Sequence, residues 1–465
     1  MKNNPLDNFS RSSDLYAFVL ENYKFLDSVS IGDLHKAYNR FQNEKEVEED
    51  GKYVEAMKKL DDLVDYLVFA HTIGFIAWKQ NWLDMAGTTA VPLPVFCLCT
   101  LLRIDAIIKI IAFDKDRPLI FEGPMSTDNT YFLYLRKPRS SFFSAVLNSE
   151  KIYPGRTTIQ FFNDSVNKYF KNFVVIKESF LCDMRPVVYR YSGKKTFTES
   201  IKIAVVPFYQ SPWFRTHFND GARTFSISYS DYKMKISNQA YKNSIIQADN
   251  NLADIIIFPE LAMNATTEDF VKDVLLSTPK SFEHLKFCFL GSAWIDKNNI
   301  SSLMSSSGTV LARQKKKEPY YHFHHDDIYY REDIKHDKNV TLIDIESFGR
   351  IAYCICADIN AKEIQNLLEL MEVDFVFVSS YTKNTETMFT AAESKACLSA
   401  MSTVLCNARS AKDPQKPDKH SNGFCIVPKA KNKKLFAKSV SYIVDDDDNH
   451  NQEIFYFDLH FDSCK

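Results

Sequence analysis

Apolar positions in the first part of the chain recur with helical spacing. Tyr53, Met57, Leu60, Val64 and Leu67 are separated by four and three residues, which places them on one face of a helix. Leu15, Phe18 and Val19 mark a shorter helix, with Ser12, Ser13 or Asp14 available as its N-cap. The most apolar stretch, Val91 to Phe113, is interrupted by Arg103, Asp105 and Lys109. A bilayer span needs about 20 mostly apolar residues with few charges, so this stretch reads as a buried helix. From about Pro118 to Tyr191 the pattern shifts to short β-rich runs, Tyr131–Leu135, Thr158–Phe162 and Phe173–Ile176. Ser192 to Ser200 is polar and reads as a linker.

Beyond Ser200, strand and helix patterns alternate. Ile201 to Phe208 reads as a strand, and Tyr241, Ile245, Ala248 and Leu252 share one helix face. Ile255–Phe258, Phe287–Leu290, Ile351–Cys356, Phe375–Val378 and Val404–Cys406 are short, wholly apolar runs of the kind that form buried strands. Ile364, Leu367, Leu368 and Met371 supply another amphipathic helix. Such alternation predicts an α/β fold with helices covering sheets. The expected organisation is a helical region 1–115, a mixed or β-rich region 116–195, and an α/β domain 200–465. The acidic run Asp445–Asp448 and the Lys-rich run Lys429–Lys434 read as solvated loop tips.

Composition narrows the partners. With 465 residues, 45% apolar and 25% charged, the chain is long enough for two or three cores. A formal charge of −2 gives no basic footprint for nucleic acid and no polycationic face for membranes. No secretory signal pattern is visible at the polar N-terminus. Most of the ten cysteines sit in apolar runs, as free core thiols do, which points to a reducing, cytoplasmic compartment.

Three short segments carry candidate chemistry, each at the end of a predicted strand. They are Phe258-Pro259-Glu260, Gln314-Lys315-Lys316-Lys317 following Gly308, and Ile355-Cys356-Ala357-Asp358. Singly, these read as a solvated glutamate, a basic hairpin end and a buried thiol. In this order, together with Val373 to Ser380, Glu393 to Arg409, Ser421-Asn422-Gly423 and Glu453 to Leu459, they resemble the nitrilase superfamily of carbon–nitrogen hydrolases over roughly Ser200 to the C-terminus.

The resemblance implies an α-β-β-α sandwich and a catalytic triad of Glu260, Lys316 and Cys356. Cys356 would be the nucleophile and Glu260 the base. Lys316, with the backbone N–H of Ala357, would stabilise the oxyanion. Lys315 and Lys317 are the alternatives if the register shifts by one. A second carboxylate between the lysine and the cysteine falls to Glu332 or Glu318. Cys354, two residues before Cys356 on the same predicted strand, should face the same side. Three positions depart from the family pattern: Ala357 replaces an aromatic, Asn360 an arginine and Glu372 a glycine. They point to a differently shaped pocket.

The implied activity is hydrolysis of a small-molecule amide through a thioester, without cofactor or metal. The rivals are acyl transfer by the same triad and a binding or regulatory module. The resemblance also implies a homodimer or higher oligomer, and the N-terminal region is free to engage a protein partner. The run His322-Phe323-His324-His325-Asp326-Asp327 invites a metal reading, but adjacent ligands on one loop rarely converge on one ion. Its place between Lys316 and Cys356 suits a pocket rim instead.

Overall fold

The computed structural model describes residues 5–47, 51–69, 71–112, 119–122, 124, 126–127, 130–137, 165–191, 200–208, 214–277, 282–324, 328–346, 348–411, 421–431, 434–442 and 454–460. The strand expected at Thr158–Phe162, the linker positions 192–199 and the acidic run Asp445–Asp448 lie outside them. The chain folds into two compact units, one of residues 1–117, 122–136 and 156–183, the other of 118–121, 137–155 and 184–465. The stretch 116–195, expected to stand by itself, is thus divided between the two. No helix among the described residues is long and apolar enough to cross a membrane.

The first unit holds helices Pro5–Ser10, Leu15–Asp27, Ile31–Val47, Lys52–Phe69, His71–Thr88 and Leu93–Ala112. Met57, Leu60, Val64 and Leu67 are buried, as their spacing predicts. Of the three possible caps, Asp14 is the one used, its carboxylate accepting the Ala17 N–H at 2.9 Å. Phe18 meets Trp82 edge-on with ring centroids 4.9 Å apart, and Trp82 donates its indole N–H to Thr100. Strands Ser126–Thr127, Tyr131–Leu135 and Phe173–Lys177 form a small sheet in this order. Asp105, on the last helix, accepts the backbone N–H groups of Lys171, Asn172 and Phe173 and so anchors the entry to its third strand.

The second unit is mixed α/β. An eight-stranded sheet runs Leu119–Glu122, Arg185–Tyr191, Asn339–Ile345, Gly349–Ile355, Phe375–Ser380, Ser402–Asn407, Gly423–Lys431, Lys434–Tyr442. A six-stranded sheet runs Val310–Lys315, Asn298–Ser305, Phe287–Ile295, Ile255–Ile257, Ser200–Val205, Phe455–His460. One core is shared between these sheets, with Ile203, Ile257 and Phe289 from the six strands and Tyr353, Phe377 and Val404 from the eight. Phe289 and Phe377 stack at 4.2 Å. A second core joins the six-stranded sheet to helices Asp231–Asn250 and Thr267–Ser277 through Tyr241, Ile245, Val271 and Cys288. A four-stranded sheet is built from two hairpins, Phe214–Asn219 with Thr224–Tyr229 and Tyr321–His324 with Ile328–Glu332.

One helix end differs from the sequence expectation, and a second shares its geometry. Leu252 was expected on the helix face with Ala248, but it is 56% exposed at φ 63°. The helix stops at Asn250, and Ala253 N–H reaches back to Ala248 O while Leu252 N–H bonds Asp249 O, a six-to-one cap that leaves Leu252 left-handed. Glu372 occupies the same position after helix Lys362–Leu370, at φ 55°, with Val373 N–H bonded to Leu368 O. Both are sites that glycine usually fills. The Lys-rich run also differs, since Lys429 to Lys431 and Lys434 belong to paired strands and not to a free loop.

Candidate active site

Glu260 follows the buried strand Ile255–Ile257 by three residues. The neighbouring strand carries a register shift between Phe289 and Ser292, and this irregularity makes room for the Pro259–Glu260 segment. Gly291 sits inside it at φ +80°, and an added Cβ would stand 2.2 Å from the Pro259 carbonyl oxygen. Only glycine fits there. The Ser292 hydroxyl accepts the Leu261 N–H at 3.0 Å and fixes the turn beyond Glu260.

Cys356 sits at the end of the strand Gly349–Ile355. The two cysteines were expected to share a face, and here the structure corrects the expectation. The strand ends at Ile355, Cys356 takes φ 50°, and a 3-10 turn Cys356–Asn360 begins. Strand alternation therefore does not extend to Cys356, and the cavity wall includes Cys356 without Cys354. A left-handed non-glycine residue is uncommon and persists only where its surroundings hold it. Asp358 does so here, its carboxylate accepting N–H groups from Ile355 at 3.1 Å, Lys317 at 2.9 Å and Glu318 at 2.8 Å.

Lys316 reaches both carboxylates. Its Nζ lies 2.8 Å from Glu260 Oε1 and 2.7 Å from Glu332 Oε2, with all three side chains buried. Lys315 and Lys317 pair with Asp337 instead, at 3.4 and 3.7 Å. Glu318 lends only its backbone N–H, to Asp358, so Glu332 is the second carboxylate at the lysine. The Glu260 carboxylate also accepts the Tyr381 N–H at 3.0 Å and lines the same cavity as Cys356. Glu332 accepts the Tyr320 N–H at 2.8 Å. The Ser380 hydroxyl donates to Cys356 Sγ at 3.5 Å. Ala357 follows the thiol, half-buried in the 3-10 turn.

The electrostatics follow from burial and three charges. Burial raises the Glu260 carboxyl above the ordinary range and Glu332 adds to this, while Lys316 opposes it. Burial works against the charge of Lys316, but the two carboxylates outweigh it and hold the ammonium well above its ordinary value. Burial and the Glu260 charge push the Cys356 thiol up to about 12, against the pull of Lys316. At neutral pH the sulfur is therefore a thiol and needs a base at the moment of attack.

A cavity of about 250 Å³ opens above Glu260, Lys316 and Cys356. Glu260, Lys316, Glu332 and Cys356 line it, and its walls include Phe214, Phe225, Ile227, Leu261, Tyr320 and Tyr381. Lys383 and Ser410 also line it. His322 lies on this wall, which places the first residue of the histidine run at the pocket, while His325, Asp326 and Asp327 lie outside the described residues. The sequence reading missed Asn299, Tyr320, Ser380 and Tyr381, whose contacts with Glu260, Glu332 and Cys356 arise only through the fold.

No family model matches the chain, and no curated protein matches it. Among solved structures it is similar to Nit3 of Saccharomyces cerevisiae, a member of branch 10 of the nitrilase superfamily. That match has 18% identity and a TM-score of 0.38, covering 58% of this chain and 93% of that one. It is similar to an amidase from Nesterenkonia sp. at 10% identity and a TM-score of 0.38, covering 59% and 95%. It is also similar to the glutamine-dependent NAD+ synthetase of Acinetobacter baumannii at 15% identity and a TM-score of 0.36, covering 57% of this chain and 47% of that one.

Proposed function

We propose that the second unit is a nitrilase-type α-β-β-α domain that hydrolyses a small amide through Cys356, Glu260 and Lys316. The observation that carries this is the Lys316 ammonium held between Glu260 and Glu332, with Cys356 on the lining of the same open cavity. In this reading Cys356 Sγ attacks the amide carbonyl carbon while Glu260 takes the thiol proton. The oxyanion is met by the Lys316 ammonium and the Ala357 N–H. Glu260 then gives its proton to the departing nitrogen as the carbon–nitrogen bond breaks. Water, deprotonated by Glu260, attacks the thioester, the carbon–sulfur bond breaks, and the thiol is restored.

The aromatic and aliphatic walls favour an apolar acyl group, with the three floor charges committed to one another and Lys383 a further charge on the lining. The test is a panel of aliphatic and aryl amides, with ammonia release and intact-protein mass as readouts. A turned-over amide that leaves an acyl mass on Cys356, absent in Cys356→Ala, supports the reading. No turnover and no adduct across the panel would sink it.

A further inference from the structure

Asn299 lies on the strand Asn298–Ser305 and is buried. Its side-chain Nδ2 donates to Glu260 Oε1 at 2.8 Å and to Glu332 Oε1 at 3.3 Å. Its main-chain carbonyl accepts the Lys316 N–H at 2.8 Å. One residue thereby touches all three charged members of the site. Its own Oδ1 is buried with no hydrogen-bond partner. A buried amide with an unsatisfied oxygen is a costly way to fill space, and leucine would fill the same volume without that loss. Two carboxylate acceptors on one side also fix the amide orientation, because the flipped form would set Oδ1 against them.

Two neighbouring buried carboxylates tend to share a proton, and a protonated Glu260 cannot take another from Cys356. Hydrogen bonds donated to the charged form counter this tendency. From this geometry we infer that Asn299 is a positioning residue that holds Glu260 in its ionised form beside Glu332 and so sustains the base. The inference rests on the triad reading proposed above.

The test uses the full chain and iodoacetamide, with Cys356 alkylation rates read by peptide mass spectrometry between pH 5 and pH 9. In the wild type the rate rises with pH as Glu260 loses its proton, and Glu260→Gln removes that rise. In Asn299→Leu the midpoint of the rise moves up by about one pH unit, so alkylation on the acidic side slows roughly tenfold while the plateau is kept. Asn299→Asp, which adds a third carboxylate, moves it further. A purely structural role would slow alkylation equally at every pH and leave the midpoint in place, and that result overturns the inference. A wild-type profile indifferent to Glu260→Gln overturns the triad reading instead. Asn299→Ser, smaller and still a donor, keeps the midpoint closer to wild type than Asn299→Leu does. It carries the test against wild type, through a smaller upward shift, should the other variants not fold.

Discussion

Asp358 and Lys317 are joined by a hydrogen bond of 2.9 Å from the Lys317 backbone N–H to the Asp358 carboxylate. Lys317 follows Lys316 and Asp358 lies two residues beyond Cys356, so this bond ties the lysine segment to the turn that carries Cys356. Burial pushes the Asp358 carboxyl up to about 6, against the pull of the backbone donors. Its folded value therefore lies above its unfolded value near 3.8. A raised carboxyl contributes stability that is fully present below about pH 4 and is lost as pH rises through about 6. Urea unfolding should show the stability of wild type relative to Asp358→Asn falling between pH 4 and pH 6.5, by at most about 3 kcal/mol. A difference that is flat with pH would show that burial does not raise the Asp358 carboxyl.

The buried charge group predicts a different stability result. Lys316→Met leaves Glu260 and Glu332 facing each other without their cation, and breaking a buried pair in this way costs about 3–5 kcal/mol. Denaturant midpoints of Lys316→Met and of the double variant Lys316→Met/Glu332→Gln measure it, with part of the loss recovered in the double variant. Lys315→Met, whose partner is Asp337 near the surface, should change stability by less than about 1 kcal/mol.

The two cysteines separate cleanly by position. Cys356→Ala should abolish amide turnover, while Cys354→Ala should keep most of it, because only Cys356 lines the cavity. Equal losses from both, measured as kcat on the same amide, would overturn the nucleophile assignment.

The rate itself should depend on pH through Glu260. Its carboxyl is raised above the ordinary value of 4.5, so kcat/KM should climb with pH and its midpoint should lie above that value. Lys316 stays charged well past neutrality and contributes no limb there. A midpoint at or below the ordinary carboxylate range would remove Glu260 from the role of base.

Gly291→Ala tests how the base is delivered. The new methyl group would collide with the Pro259 carbonyl oxygen at a backbone angle that alanine resists. Expected are a loss of about 2 kcal/mol or more and a fall in turnover larger than the loss of folded protein explains. Thermal unfolding and kcat on the folded fraction separate the two.

What could be read from the sequence was what the chain states locally. Glu260, Lys316 and Cys356 each follow an apolar or Gly-led strand, so their strand-end positions show in the pattern. Asn299 gives no such signal, being one polar residue in a strand, and its two carboxylate partners lie 39 and 33 positions away. The strand ends at Ile355 and Cys356 takes a positive φ, which is why strand alternation misplaced Cys356 relative to Cys354. Leu252 failed for a related reason: periodicity marks a face but not where a helix cap will end it.

The wall of aromatic residues above Cys356 has a consequence for the order of folding. Its two hairpins come from distant parts of the chain and meet through a two-residue parallel ladder, Arg331 with Thr224 and Glu332 with Phe225. Glu332 is both a rung of that ladder and a partner of Lys316. Joining segments so far apart in sequence carries a chain-closure penalty that local contacts do not, and such pairings form slowly. The chamber cannot close without delivering its second carboxylate, and the carboxylate cannot arrive without closing the chamber. A chain caught before that step would hold its two large sheets and its thiol but lack this wall above it.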